Sequence, residues 1–315
     1  MQSEMEKRMS VTTVGWIGVG RMGFELCKRL LTSGYDLAVY NRTREKAAPL
    51  ADLGAVVVDA PAKLADRDVV FTMVADPAAF LEVTVGPEGL FSVSGAAPRV
   101  LVDSSTVSAD VSETVRAAAS ERGCELVAAP VSGNPKVVKA GKLTVVASGP
   151  EAAFAEVKPL LETFGSGVAY VGDGDAARLV KICHNLLLGI VTETLAETAI
   201  LAEKAGVSRA DYMHFINMSV MGSTFSKYKT PAIVNLDFAP SFTGHLLRKD
   251  FELGLESGRQ YSVPLPTAAL VHQLLIGMIG RGFGDEDFMR LLTMSAESSG
   301  IDISPEGTPV SDGLS

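Results

Sequence analysis

A short apolar run, T-V-G-W-I-G-V at 13–19, leads directly into G-V-G-R-M-G at 18–23, and F-E-L-C-K-R-L-L-T-S then follows with helical periodicity up to Gly34. Strand, G-x-G-x-x-G, helix is the pattern in this chain that leaves fewest folds open. Gly18 permits a tight turn, Gly20 lets backbone approach a pyrophosphate, and Gly23 lets the helix pack closely on the strand. The phosphates then rest on the helix N-terminus, within Val19, Arg21 and Met22. The glycines alone are a weak signal; between a strand and a helix they predict a dinucleotide-binding unit.

Strands and helices keep alternating beyond it. Residues 36–40, 56–58, 69–74, 100–102, 126–129, 143–147 and 168–171 read as strands, with helices at 108–122 and 151–163. That alternation predicts one doubly wound, mostly parallel sheet, whose ligands sit beyond the carboxyl ends of its strands. That edge holds the glycine turn, Asn41, Arg42 and Thr43, Val74 and Ala75, the stretch from Asp103 to Thr106, and that from Ala129 to Asn134. A site preferring NAD(H) places Asp or Glu after the second strand; here Asn41-Arg42-Thr43 stands instead. A guanidinium and a hydroxyl suit a 2′-phosphate, so NADP(H) is expected over NAD(H).

Residues 175–206 form a proline-free stretch rich in Ala, Leu and Glu, preceded by Gly172 and Gly174 and closed by Gly206. It predicts a single helix of about thirty residues, apolar nearly all round and buried on both sides as a spine between two domains. Lys181 and Asn185 share one face of it, one turn apart, with His184 on the neighbouring edge. An ammonium and an amide on an apolar helix are costly unless something uses them. A lysine that merely snorkels to solvent is the competing reading.

Further helices are expected at 209–217, 246–258, 267–279 and 287–294, separated by connections bearing Pro231, Pro240, Pro264 and Pro266. The architecture is thus α/β: an N-terminal Rossmann doubly wound sheet over 11–174, a long interdomain helix, and an all-α domain over 175–300. The Ser/Gly/Pro-rich tail 301–315 is expected to be disordered. A formal net charge of −9 gives a nucleic-acid partner no electrostatic support. Three scattered cysteines and a charged, non-apolar N-terminus point to a reducing, cytoplasmic setting without a signal peptide. Glu193, Glu197, Glu203 and Lys204 make the long helix too polar to span a membrane comfortably, so no membrane partner is expected. His214, His245 and His272 show no metal-ligand spacing, and no metal is expected.

With these motifs in order, the chain resembles the β-hydroxyacid dehydrogenase family, which includes 3-hydroxyisobutyrate dehydrogenases and tartronate-semialdehyde and glyoxylate reductases. The resemblance covers about 11–299. It is carried by G-V-G-R-M-G at 18–23, D-S-S-T at 103–106, A-P-V-S-G at 129–133, K-x-x-x-N at 181–185 and R-K-D-F at 248–251. It implies that Lys181 is the catalytic acid/base and that Asn185 orients the substrate. Ser132 and Gly133 would hold the substrate carboxylate through hydroxyl and backbone N–H groups, with Asn134 beside them and Phe242 and Asp250 as further substrate-binding residues. Thr106 and Lys249 would contact the cofactor, as would the backbone at Val74 and Ala75. A small carboxylate substrate and a homodimer or homotetramer are likewise implied.

Two departures bear on this. His184 stands where the family usually has a second asparagine, and the loop after Gly133 reads N-P-K-V-V-K, with Lys136 and Lys139 either solvated or set to bind a second anionic group. Imine reduction on the same scaffold is an alternative, against which Lys181 argues. A non-catalytic cofactor-binding scaffold is another, and the lysine argues against that as well.

Overall fold

The structure is a computed structural model that describes residues 12–314. Val11, where the cofactor domain was expected to begin, lies outside the described residues, as do the preceding N-terminal residues and Ser315. The chain divides into two compact units, one ending at Lys181 and the other beginning at Ile182. The division falls inside a helix, seven residues beyond the boundary expected from the sequence.

In the first unit, six strands form one wholly parallel sheet in the order β3-β2-β1-β4-β5-β6. They are β1 (Thr13–Ile17), β2 (Asp36–Tyr40), β3 (Val56–Val57), β4 (Val69–Thr72), β5 (Val100–Asp103) and β6 (Glu125–Ala128). Sheets of this kind are covered on both faces, which is why β4 and β5 are buried throughout and each opens with three apolar residues before Thr72 and Asp103. The helices are α1 (Arg21–Thr32), α2 (Ala48–Ala51), α3 (Pro77–Val85), α4 (Ala109–Ser120), α5 (Pro135–Lys139) and α6 (Glu151–Glu162). Trp16, fully buried, stacks on Phe71 with centroids 5.2 Å apart and meets Phe164 edge-on.

The stretches at 143–147 and 168–171 do not join that sheet, contrary to expectation. Strands β7 (Val131–Ser132), β8 (Leu143–Ala147) and β9 (Gly165–Tyr170) make a second sheet, with β7 antiparallel to β8 and β8 parallel to β9. The chain runs on past Ala128 into β7 and reverses over 133–142, so β8 returns antiparallel to β7, and Ser148 just beyond it bridges Ala128 at the end of the first sheet.

The long helix α7 (Ala176–Lys204) forms as expected. It is not buried on both sides in the single chain: Leu187 is 59% and Leu201 70% exposed. In the second unit, α8 (Arg209–Met218), α9 (Thr224–Asn235), α10 (Gly244–Gln260), α11 (Pro266–Gly280) and α12 (Leu291–Ser298) pack against its buried stripe. One core gathers Ala196, Ala199, Ile200, Met213 and Ile233. Another gathers Leu186, Leu247, Phe251, Leu275 and Met278. Helix α9 departs from the sequence reading, which took Pro231 as part of a connection. A reciprocal Ser223–Ser226 capping box starts the helix, and Pro231 sits inside it.

The tail also departs from expectation. Ile301, Ile303 and Val310 dock on the first of these cores. Glu306 accepts from the backbone N–H groups of Arg209 (2.6 Å) and Ala210 (3.1 Å) at the start of α8, where a carboxylate suits the helix dipole. The fully buried Arg209 guanidinium donates to the carbonyls of Ile233 and Ser304 and pairs with Glu203. Three apolar anchors and one charged hub outweigh the tail's flexible composition.

Candidate functional site

The first unit builds its ligand edge from the glycine turn outward. Gly18 has φ +101°, and a Cβ there would lie 2.2 Å from the Met73 carbonyl oxygen, so no other residue fits the turn. A Cβ on Gly23 would lie 2.2 Å from the Gly18 oxygen and 2.9 Å from Trp16 Nε1. Trp16 Nε1 donates to that same oxygen at 3.0 Å. The start of α1 is thereby drawn hard against the strand end. Gly20 has nothing within 4 Å of where its side chain would stand, and no side chain caps the helix. An open, uncapped helix N-terminus beside a bare glycine fits a pyrophosphate.

Asn41 ties the glycine turn to the end of β2. Its Oδ1 accepts from the Val19 N–H and its Nδ2 donates to the Thr43 carbonyl, both at 2.8 Å, as a brace between the two. Arg42 and Thr43 project beyond that brace and are exposed. Arg42 makes no hydrogen bond or ion pair among the described residues. The Val74 N–H is committed to Ser105 Oγ at 2.9 Å, while Ala75 is exposed and Thr106 half-buried. Ser105, which sequence reasoning left unassigned within the D-S-S-T motif, therefore ties two edge loops together.

The end of β5 anchors α7. Buried Asp103 accepts from Thr72 Oγ1 at 2.6 Å and from Arg178 Nη1 at 2.8 Å. Arg178, 6% exposed, also donates to the Ser105 carbonyl and to Ser112 Oγ. Ser148 Oγ accepts from the Ala177 N–H, and Arg116 pairs with Asp175 at 2.7 Å. The first turn of α7 is thus fixed to the sheet edge, with half-buried Lys181 one turn further on. Arg178 was missed from sequence; a lone guanidinium in an apolar helical stretch was the available signal.

Ser132, half-buried, ends β7, and Gly133, exposed with φ +145°, opens the loop after it. A Cβ on Gly133 would meet Leu143 and Val137 at 2.7 and 2.8 Å. Asn134 is 8% exposed and its Oδ1 accepts from the Val137 N–H at 3.1 Å, which makes it the N-cap of α5. Lys139 Nζ lies 3.3 Å from Glu25, so its charge is already answered within this unit; Lys136 is exposed.

The second unit presents its own constellation. Asn185, 3% exposed on α7, donates through Nδ2 to Asp250 Oδ2 of α10 at 2.6 Å, and Asp250 is equally buried. Lys249 Nζ is 3.6 Å from Asp250 Oδ1, and His184 Nδ1 is 3.0 Å from Asn185 Oδ1. Phe242 packs edge-on against Phe288 at 6.0 Å. Its loop is held by Asp287, which accepts from the N–H and Oγ of Ser241 and from buried Lys229 at 2.6 Å. Among the described residues no group of three or more His, Cys, Asp or Glu is arranged to hold a metal ion.

Comparison with known proteins bears on both units. Residues 13–172 match the family described as the NAD binding domain of 6-phosphogluconate dehydrogenase. Residues 174–295 match that described as NAD-binding of NADP-dependent 3-hydroxyisobutyrate dehydrogenase. The 2-(hydroxymethyl)glutarate dehydrogenase of Eubacterium barkeri is 33% identical over 302 residues, 95% of this chain and 99% of that protein. A solved 3-hydroxyisobutyrate dehydrogenase from Salmonella typhimurium has a TM-score of 0.79 at 26% identity, covering 90% of this chain and 99% of its own. Psf3 in complex with NADP+ and 2-OPP has a TM-score of 0.78 at 26% identity over the same shares.

Proposed function

The chain belongs to the β-hydroxyacid dehydrogenase family of NAD(P)-dependent oxidoreductases, and on that premise we propose that it moves hydride between NADP(H), in preference to NAD(H), and a small β-hydroxyacid or its semialdehyde, with Lys181 as the acid/base. The observation that carries the reading is the anchoring of α7: Arg178 on Asp103 fixes the turn before Lys181 to the end of β5. Ligands of parallel sheets bind beyond such strand ends.

Gly18, Gly20, Gly23 and the N-terminus of α1 would hold the pyrophosphate, Arg42 and Thr43 the 2′-phosphate, and Thr106 and Lys249 the nicotinamide side. When bound, the nicotinamide supplies the hydride acceptor or donor. Lys181 Nζ takes the hydroxyl proton as the alcohol is oxidised and returns a proton to the carbonyl oxygen on reduction. A positioned cation beside a developing alkoxide stabilises the charge as well. Ser132 Oγ and the Gly133 N–H bind the substrate carboxylate, and Asn185 orients the reacting end. Asn134 supports this from beneath as a cap, with only its amide N–H groups left for substrate. Exposed Leu187, Leu201, Phe215, Met218 and Val220 support a homodimer or homotetramer. The three cysteines, all free, support a reducing compartment.

The test is oxidation of NADPH and NADH with glyoxylate and with succinic, tartronic and methylmalonic semialdehydes, and with a cyclic imine as control. Turnover of one semialdehyde, lost by several orders of magnitude in Lys181→Ala with NADPH binding retained, is expected. Turnover of the imine alone would overturn the reaction type. A Lys181→Ala enzyme within about tenfold of wild type would remove the lysine from the chemistry.

A further inference from the structure

We propose that Arg29 is a positioning residue that sets the substrate-carboxylate loop from the cofactor-binding helix. The proposal rests on the reading above, in which the glycine turn before α1 holds the pyrophosphate and Ser132 with Gly133 holds the carboxylate.

Helix α5, which follows that loop, has only five residues and cannot hold itself in water. Its last carbonyls lack partners within the helix. Backbone N–H groups just beyond it answer three of them, Gly141 donating to Val138 at 3.0 Å, and Arg29, on α1, clamps that end from outside: Nε and Nη2 donate to the Val138 carbonyl at 3.0 and 2.8 Å, and Nη2 reaches the Lys139 carbonyl at 3.4 Å. A planar fork of fixed donors suits this task, and its cation sits well at a helix C-terminus. Glu25, one turn earlier on α1, pairs with Lys139 Nζ at 3.3 Å. Gly141 has φ +68°, and a Cβ there would come within 3.0 Å of Arg29 Nη2. The bare glycine is what admits the guanidinium.

The other end of α5 leads to the loop. Asn134 caps it through the Val137 N–H, and Val137 and Leu143 fill the space a Gly133 side chain would need. A shift of Val137–Val138 is therefore felt at Gly133. Arg29 itself lies about 12 Å along α1 from its N-terminus at 1.5 Å per residue, so the phosphate-binding end stays apart from it. Arg29 acts through α5 and touches no reacting atom.

The experiment is Arg29→Met on the full chain, followed by amide hydrogen exchange and by steady-state reduction of succinic semialdehyde with NADPH. Exchange at residues 133–141 is expected to quicken about tenfold, and KM for the semialdehyde to rise about tenfold, with kcat and NADPH Kd within about twofold. Arg29→Lys should recover part of the KM. Arg29→Gln, which keeps a polar end but loses the charged fork, should move both quantities the same way by less and serves if Arg29→Met fails to fold. Unchanged exchange and KM would overturn the proposal. A uniform fall in Tm and kcat with KM untouched would also overturn it, because that is the signature of a plain strut. A wild-type enzyme inactive on every semialdehyde would refute the functional reading instead, and loop exchange alone would then decide the role of Arg29.

Discussion

Asn185 donates its side-chain N–H to Asp250 Oδ2 at 2.6 Å, and that bond fixes which way the amide faces. A carboxylate accepts, so the amide nitrogen must point at Asp250 and Oδ1 must point at His184 Nδ1, 3.0 Å away. That orientation suits the His184 tautomer with its proton on Nδ1. Asp250, expected from the family resemblance as a pocket residue, works first as the orienter of Asn185. Asp250→Ala and Asn185→Ala should each lower kcat/KM by about ten- to a hundredfold, and the double variant should be little worse than the poorer single one. Additive losses in that double-mutant cycle would show that the two side chains act independently.

The same crossing depends on two glycines. A Cβ on Gly189 would lie 2.5 Å from two ring atoms of the fully buried Phe251, and one on Gly254 would lie 2.7 Å from Leu186 Cδ1. Alanine at Gly189 gains about 1 kcal/mol of helix propensity. Overpacking a ring with nowhere to go costs about 1–3 kcal/mol, and we expect that term to prevail. Gly189→Ala should lower the midpoint of urea unfolding. An unchanged or higher midpoint would mean that α7 and α10 have room to part.

Much of this was legible in the residues. The G-V-G-R-M-G turn, the long helix and the all-α second unit follow from periodicity and glycine placement, because local geometry admits few alternatives there. The second sheet was not legible. Nothing local distinguishes β8 from a strand of the first sheet; the reversal over 133–142 and the pairing of Val131 with Val145 decide it. Pro231 misled because its cost depends on what the surrounding helix gains from burial. For the site, Lys181 and Asn185 stood out as polar groups on an apolar helix. Asn41 and Asn134 were found as positions, but only the structure shows that their side chains hold backbone. Ser105, Arg178 and Arg29 act through partners 31, 75 and 109 residues away, a range that no spacing rule reaches.

Arg42 bears on cofactor choice. It is an exposed guanidinium just past β2, and Asn41 ties the backbone beside it, at Thr43, to the glycine turn at Val19. A 2′-phosphate would give it a charge-assisted partner; a ribose hydroxyl would not. Arg42→Ala should raise KM for NADPH about tenfold or more and change that for NADH by less than about twofold. Equal effects on the two cofactors would sink the phosphate clamp, and fluorescence titration of the two reduced cofactors measures it without any substrate.

Glu193 should leave a mark on the pH dependence of stability. It sits on α7 at 8% exposure, and Oε2 has no hydrogen-bond partner among the described residues. Burial, assisted by the charge of Glu197 one turn on, pushes its carboxyl from the ordinary 4.5 up to about 7, with a hydrogen bond from Ser295 opposing. The folded state therefore holds this proton more tightly than the unfolded chain does. Its contribution is fully present below about pH 4.5, and stability declines as pH rises from there through about 7, where the buried carboxylate ionises. Glu193→Gln keeps a neutral hydrogen-bonding group of the same shape. Relative to wild type it should be about equal in stability at pH 4.5 and more stable at pH 8, by on the order of 2 kcal/mol. Urea unfolding at the two pH values gives the difference, and the histidines cancel because both proteins share them. A gap between the two proteins that stays the same from pH 4.5 to pH 8 would show that Glu193 does not ionise in this window.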